Sequence, residues 1–157
     1  MLYLDTSVLV KRYFQEVGSK AVNSRFGRGE IIYTSVLTFA EVHAAIERKY
    51  RFGELNTKEK KTLIDEFQTD WLFSLNILEM TTVTMIALPS LCEQYSLRAS
   101  DAVHLSAAFW LKDAIRLRAK GFEDSGNLVE FGVSDRQLGI AALKCGFAVF
   151  NPEQVKD

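Results

Sequence analysis

Four acidic residues occupy positions where their carboxylates could take part in chemistry. Asp5 directly follows the apolar run at residues 2–4, Asp101 opens a long apolar helix, Asp135 follows a second apolar run, and Glu41 lies within another helix. Carboxylates brought together repel one another unless cations neutralise them or some remain protonated. Oxygen ligands favour Mg²⁺ or Mn²⁺ over zinc, and such ions commonly serve phosphoryl chemistry. We therefore predict one acidic metal site made of these four residues.

Three of the four acids also have a simpler interpretation. Asp5 and Asp135 stand where a residue would cap the following helix, and Asp101 in a first turn suits the helix dipole. Glu41 differs because it is in mid-helix and shares its face with apolar residues one turn away,. Burying such a carboxylate is costly unless it is paired or bound to a metal ion, although a glutamate at the edge of the apolar stripe remains an alternative.

The elements that must position these acids alternate between strands and helices. Short apolar runs predict strands at 2–4, 31–33, 75–78, 128–133 and 147–150,. Periodicity and capping residues predict helices at 8–13, 19–26, 36–50, 57–72, 82–95, 101–118 and 135–144, with Pro89 as a kink and 120–127 as a loop,. This alternation predicts an α/β fold with a parallel sheet between two helix layers and ligands at the carboxyl ends of the strands.

Composition limits the class of protein. The chain has 157 residues, 48% hydrophobic and 25% charged, which predicts a single globular domain over 1–157,. Its 19 Lys+Arg and 20 Asp+Glu give a net charge of −1, so overall charge does not indicate nucleic-acid binding,. The N-terminus lacks a signal peptide pattern and no apolar run reaches transmembrane length, which predicts a cytoplasmic protein without a membrane partner,.

Four stretches together resemble the PIN domain, in particular the VapC-type toxins of prokaryotic toxin–antitoxin pairs. They are residues 4–9, 38–42, 97–104, and 134–135 with the Ala-Ala and Gly-Phe-Ala-Val segments that follow. The resemblance extends from residue 2 to about 152 and rests on the order and spacing of these motifs. Residues 112–127 depart from it, because they form a longer segment than in compact family members.

The resemblance implies a metal-dependent ribonuclease that hydrolyses RNA with a metal-activated water. It implies a three-layer α/β/α sandwich with a central, mainly parallel sheet. Asp5, Glu41, Asp101 and Asp135 would hold one or two Mg²⁺ or Mn²⁺ ions. Ser7 and Ser134 match hydroxyl positions that line the family's site, and Thr6 is a further candidate lining residue. The partners implied are RNA, a small antitoxin protein and a second copy of the chain in a homodimer.

Three other functions remain open at this stage. One is a non-catalytic PIN-like module that binds RNA or protein, and another is a flap-type DNA nuclease. The third is a phosphate hydrolase with Asp5 as its nucleophile, although such enzymes have a second Asp where Ser7 stands,.

Several further residues have weaker interpretations. We interpret His104 as a structural histidine, because hard ions prefer oxygen ligands. Arg12, Tyr13 and Arg98 are candidates for contact with RNA.

Overall fold

Five parallel strands form the centre of the fold. The computed structural model describes residues 1–118 and 128–155. Within them the strands, in sheet order, are β3 (Leu75–Leu78), β2 (Ile32–Ser35), β1 (Leu2–Leu4), β4 (Glu130–Gly132) and β5 (Ala148–Phe150). Every neighbouring pair is parallel. The central position of β1 brings Asp5 to the middle of the carboxyl edge, where its N–H donates to the Gly132 carbonyl oxygen at 3.0 Å.

Seven α-helices in the described ranges connect and flank these strands. They are α1 (Thr6–Leu9), α2 (Ser19–Gly27), α3 (Leu37–Arg51), α4 (Thr57–Phe73), α5 (Leu88–Tyr95), α6 (Ala99–Arg118) and α7 (Arg136–Lys144). Short 3₁₀ turns at Val10–Arg12 and Pro152–Gln154 complete the regular structure. No helix within these ranges has both the length and the apolar character needed to cross a membrane.

The two faces of the sheet carry separate cores. Tyr3 points into a core that includes Leu105 of α6 and Leu138 of α7. Its neighbours in β1 point the other way, into a core with Val42 of α3 and Phe67 of α4. Successive strand residues alternate between faces, so one strand contributes to both cores. The predicted three-layer α/β/α sandwich with a parallel sheet is confirmed.

The helix predicted at 82–95 is wrong in its first half. Residues 82–87 form turns, in which the Thr84 hydroxyl donates to the Glu79 carbonyl oxygen at 2.6 Å and accepts from the Thr81 N–H at 2.8 Å. Threonine side chains that bond nearby backbone compete with helix formation. Pro89 then lies in the first turn of α5, where its missing N–H costs nothing, so it does not kink a helix,.

The segment 112–127 is described only in part. Its residues up to Arg118 continue α6, as expected. The loop expected at 120–127 lies outside the described residues.

Candidate functional site

Asp5 is a buried carboxylate at the end of β1. Its side chain caps α1 by accepting from the Val8 N–H at 3.2 Å, and the Ser7 hydroxyl donates to the same oxygen, Oδ1, at 2.7 Å. Burial raises the pKa of Asp5 from 3.8 to about 6, and the nearby Asp101 charge adds to this, although His104 and the two hydrogen bonds oppose it. The capping interpretation is therefore correct, yet the carboxylate also carries an electrostatic cost that a cap in water would not have.

Glu41 is half-buried on α3 and does not extend freely into solvent. The Thr6 hydroxyl donates to its Oε2 through a short hydrogen bond, and His104 Nε2 lies 3.0 Å from the same oxygen. Burial raises the pKa of Glu41, but the hydrogen bonds from His104 and Thr6 outweigh it and leave the pKa below its ordinary value. The side chain is therefore ionised and held by two partners, which is how a carboxylate on an apolar stripe is tolerated.

His104 connects Glu41 to the centre of the sheet. It lies on α6, one turn after Asp101, and is 2% exposed. Its Nδ1 is 3.0 Å from the Tyr3 hydroxyl, while its Nε2 faces Glu41. The interpretation of His104 as a structural histidine agrees with these contacts. Sequence reasoning missed Tyr3, although a tyrosine inside an apolar strand is a signal, because a buried hydroxyl needs a partner.

Asp101 and Asp135 lie at the starts of two helices on the same side of the sheet. Asp101 is the third residue of α6. Burial, and to a lesser extent the Asp135 charge, raises the pKa of Asp101, although the hydrogen bond from the Arg98 backbone opposes this. Asp135 is exposed and caps α7 by accepting from the Leu138 N–H at 2.8 Å. Each thus has the local role expected of it, and the Asp135 charge also acts on Asp101.

The three hydroxyl residues are at the acidic side chains or beside them. Thr6 contacts Glu41 and Ser7 contacts Asp5, whereas Ser134 contributes its backbone N–H to the Ser7 hydroxyl at 3.0 Å. The Ser134 Oγ is buried and makes no hydrogen bond of good geometry within the described residues. It still lies near Glu153, whose pKa is lowered by Lys11 and, less strongly, by this hydroxyl.

The four acids are electrostatic neighbours, but their oxygens do not converge on one point. The Asp101 charge raises the pKa of Asp5, and the Asp135 charge raises the pKa of Asp101. The pKa of Tyr3 is raised mainly by burial and further by the charges of Asp5 and Glu41. In the described part of the chain, no three His, Cys, Asp or Glu side chains are arranged to hold a metal ion. The donor set suits a hard cation, since it consists of carboxylate oxygens with one strongly desolvated member.

Two of the residues considered for RNA contact are occupied elsewhere. The Tyr13 hydroxyl donates to Asp70 at 3.0 Å, and Arg12 forms a two-pronged ion pair with the same carboxylate while its guanidinium covers the Phe26 ring at 4.0 Å. Tyr13 is 8% exposed, so it has no ring face for a base, which corrects that expectation. Arg98 is exposed at the start of α6, beside Asp101.

Comparisons with known proteins point to one family. A family model described as PIN domain matches residues 2–118. Ribonuclease VapC47 of Mycobacterium tuberculosis is 27% identical over 160 residues, which span 99% of this chain and 100% of that relative.

Solved structures share the fold. FitAcB from Neisseria gonorrhoeae superposes with a TM-score of 0.67 at 19% identity over 99% of this chain and 100% of that one. A toxin-antitoxin complex from Klebsiella pneumoniae gives 0.60 at 16% identity over 99% and 100%. At these identities, the similarity to the solved structures shows a shared fold and nothing more.

Proposed function

The chain belongs to the PIN domain family, and on this basis we propose that it is a metal-dependent endoribonuclease with Asp5, Glu41, Asp101 and Asp135 as its Mg²⁺ or Mn²⁺ ligands. The observation that carries the proposal is Asp5, a buried carboxylate whose pKa is raised to about 6 at the centre of the carboxyl edge. A desolvated acid with a second acid nearby is what a bound cation would stabilise. Further support is the name of the relative VapC47, a ribonuclease.

Bound there, the ion would neutralise the carboxylates and supply the Lewis acidity that hydrolysis of a phosphodiester by water requires. The residues of the chain prepare the ligands. Ser7 and the Val8 N–H hold Asp5 by Oδ1, and Thr6 and His104 hold Glu41 by Oε2. None of these bonds uses the second oxygen of either carboxylate. Such outer partners fix the orientation of ligands before the ion and substrate arrive.

A non-catalytic RNA- or protein-binding module is the second candidate. It is favoured by one observation, the absence of a converged group of three metal-binding side chains among the described residues. An Asp5 nucleophile is less favoured, because Ser7 stands where such enzymes have a second Asp,. Metal binding and RNA cleavage separate these candidates.

The test compares cleavage of single-stranded RNA by the wild type and by Asp5→Asn and Asp101→Asn, with Mg²⁺, Mn²⁺ or EDTA. We expect cleavage only with a divalent ion, and a loss in each variant larger than the about 10–100-fold cost of removing an outer-shell partner. Asp113→Asn is the matched control, because Asp113 is an exposed acid further along α6. Undiminished cleavage by both site variants would refute the ligand assignment. If the protein binds RNA but neither cleaves it nor binds Mn²⁺, that result would support the non-catalytic module.

We also propose a role as the toxin of a toxin–antitoxin pair, with a small antitoxin protein that blocks the site. Support comes from the fold shared with the toxin-antitoxin complex from Klebsiella pneumoniae. A homodimer, a cytoplasmic location and a single domain over 1–157 complete the proposal. The exposed apolar side chains of Val83 and Ile86 agree with a protein contact,. The packing of both cores on one sheet agrees with a single domain. Light scattering on the purified chain tests the dimer.

A further inference from the structure

The hydroxyl of Tyr3 has no role in packing. The side chain is fully buried, and its ring stacks on Phe131 with the centroids 5.3 Å apart and the planes 11° from parallel. A phenylalanine would fill the same space and make the same stack. A buried hydroxyl costs free energy unless it is hydrogen-bonded, and the Tyr3 hydroxyl lies 3.0 Å from His104 Nδ1,. Because packing does not need this hydroxyl, its role lies in the contact with His104.

The hydrogen-bond partners of His104 determine where its proton lies. A carboxylate only accepts, so His104 Nε2 must donate to Glu41 Oε2,. The Thr6 hydroxyl gives its single proton to Glu41, so toward His104 Nε2, 3.2 Å away, its oxygen can only accept. A neutral imidazole with its proton on Nε2 presents Nδ1 as an acceptor. For the neutral ring, the Tyr3 hydroxyl, 3.0 Å from Nδ1, is therefore the donor to it.

We propose that Tyr3 is a positioning residue for Glu41. By donating to His104 Nδ1 it fixes the orientation of the ring and keeps the proton on Nε2, and that N–H in turn holds Glu41 by Oε2. The other oxygen, Oε1, takes no part in these bonds and is left for the divalent ion. A partner bond that fixes the tautomer and the ring orientation of a histidine is a general way to set what its other nitrogen does. This inference rests on the proposed function.

The proton on His104 is directly measurable. The chain has only 2 His, and His43 provides an internal contrast, because its Nδ1 lies 2.8 Å from the Phe39 carbonyl oxygen, which only accepts,. We expect ¹⁵N NMR of the metal-free protein to find His104 protonated at Nε2 and His43 at Nδ1. A proton on Nδ1 of His104 in the wild type would overturn the inference.

Tyr3→Phe removes the hydroxyl alone. We expect the His104 Nε2 proton to exchange with solvent about tenfold faster, and the affinity for Mn²⁺, titrated without RNA, to fall about tenfold, the lower end of what loss of an outer-shell partner costs. Tyr13→Phe is the matched control, because it also removes a buried, hydrogen-bonded tyrosine hydroxyl, but one whose partner is Asp70 and not His104. If Tyr3→Phe leaves both quantities at the wild-type value, or if Tyr13→Phe changes them equally, the inference is wrong.

Substitutions of His104 separate positioning from folding. His104→Gln carries an amide donor close to the place of Nε2 and should retain most of the Mn²⁺ affinity, whereas His104→Leu should lose it. Tyr3→Phe should cost little more when added to His104→Gln, because an amide has no tautomer to fix. Equal loss in the Gln and Leu variants would contradict this. If the wild type itself binds no Mn²⁺, the proposed function fails, and the NMR measurement still decides whether Tyr3 sets the proton on His104.

Discussion

The Ser7 hydroxyl accepts a hydrogen bond from the Ser134 backbone N–H at 3.0 Å, although 127 residues separate the two. The same hydroxyl donates its proton to Asp5 at 2.7 Å. Ser7, in α1, therefore joins the segment after β1 to the segment after β4, and these two segments carry Asp5 and Asp135. The spacing of the two acids depends on this one side chain as well as on the pairing of the strands.

Replacing Ser7 by Ala should loosen that junction. The Ser134 N–H loses its acceptor and Asp5 loses a donor, which costs about 1 kcal/mol per bond. Amide hydrogen exchange at Ser134 should become several-fold faster than in the wild type, and RNA cleavage should fall. Ser24→Ala, at an exposed position of α2, is the control. Unchanged exchange at Ser134 in the Ser7 variant would show that the strands alone hold the junction.

The stability of the metal-free protein should depend on Asp5 in a definite direction with pH. Its pKa is higher in the folded chain, about 6, than the ordinary value of 3.8. Its contribution to the free energy of unfolding is thus fully present below about pH 4 and is lost as the pH rises through about 6. The difference between 3.8 and about 6 corresponds to about 3 kcal/mol,.

Asp5→Asn should therefore unfold at a higher temperature than the wild type at pH 7.5 in EDTA, because asparagine keeps the acceptor oxygen but has no charge to desolvate. Below about pH 4 this advantage should disappear. Saturating Mn²⁺ should stabilise the wild type, by about 2.7 kcal/mol at a hundred times the Kd, and leave the variant unchanged. Calorimetry at several pH values measures both effects. A variant that is less stable than the wild type at pH 7.5 would contradict the argument.

Thr6 should matter through its hydroxyl and not through its methyl group. Thr6→Val removes the donor to Glu41 and leaves the side-chain volume almost unchanged, so kcat/KM for RNA cleavage should fall about tenfold or more,. Thr6→Ser keeps the hydroxyl and should retain most of the activity. Equal activity in the two variants would show that the bond to Glu41 has no part in the reaction.

Two glycines should respond in opposite ways to alanine. A Cβ at Gly132 would come within 2.4 Å of Leu4 Cδ2 and 3.3 Å of the Tyr3 carbonyl oxygen, so Gly132→Ala should cost about 1–3 kcal/mol by displacing the buried Leu4 side chain,. Gly139 lies in α7, where a Cβ would meet Val133 Cγ1 at an ordinary 3.5 Å. Gly139→Ala should stabilise the protein by up to about 1 kcal/mol, because alanine favours helix. Urea unfolding of the two variants measures both values.

Much of the fold was predictable because its signals are local. The strands at 2–4 and 75–78 were predicted with the bounds they have, and the other three strands were found to within a few residues. Apolar runs of that length followed by capping residues determine both the strand and the start of the next helix. The first half of the helix predicted at 82–95 was wrong because hydrogen bonds of Thr81 and Thr84 set the backbone there, and periodicity does not reveal such bonds.

The candidate site was predictable only in part. Asp5, Asp101 and Asp135 could be placed near strand ends or helix starts, and each does have the predicted local role. That they form a metal site with Glu41 stays a prediction. The unexpected member was Tyr3, because its place in an apolar strand indicates that its hydroxyl needs a partner but not that the partner lies at the site.

The sequence by itself determined the order of strands and helices and the positions of four carboxylates along them, because burial and capping act between residues close in the chain. Only the tertiary structure decided which groups hold those carboxylates. Tyr3 meets His104 across 101 residues, and His104 meets Glu41 across 63. Bonds of that kind depend on how α3 and α6 pack against β1. Their geometry, and with it the state of each carboxylate, exists only in the folded chain.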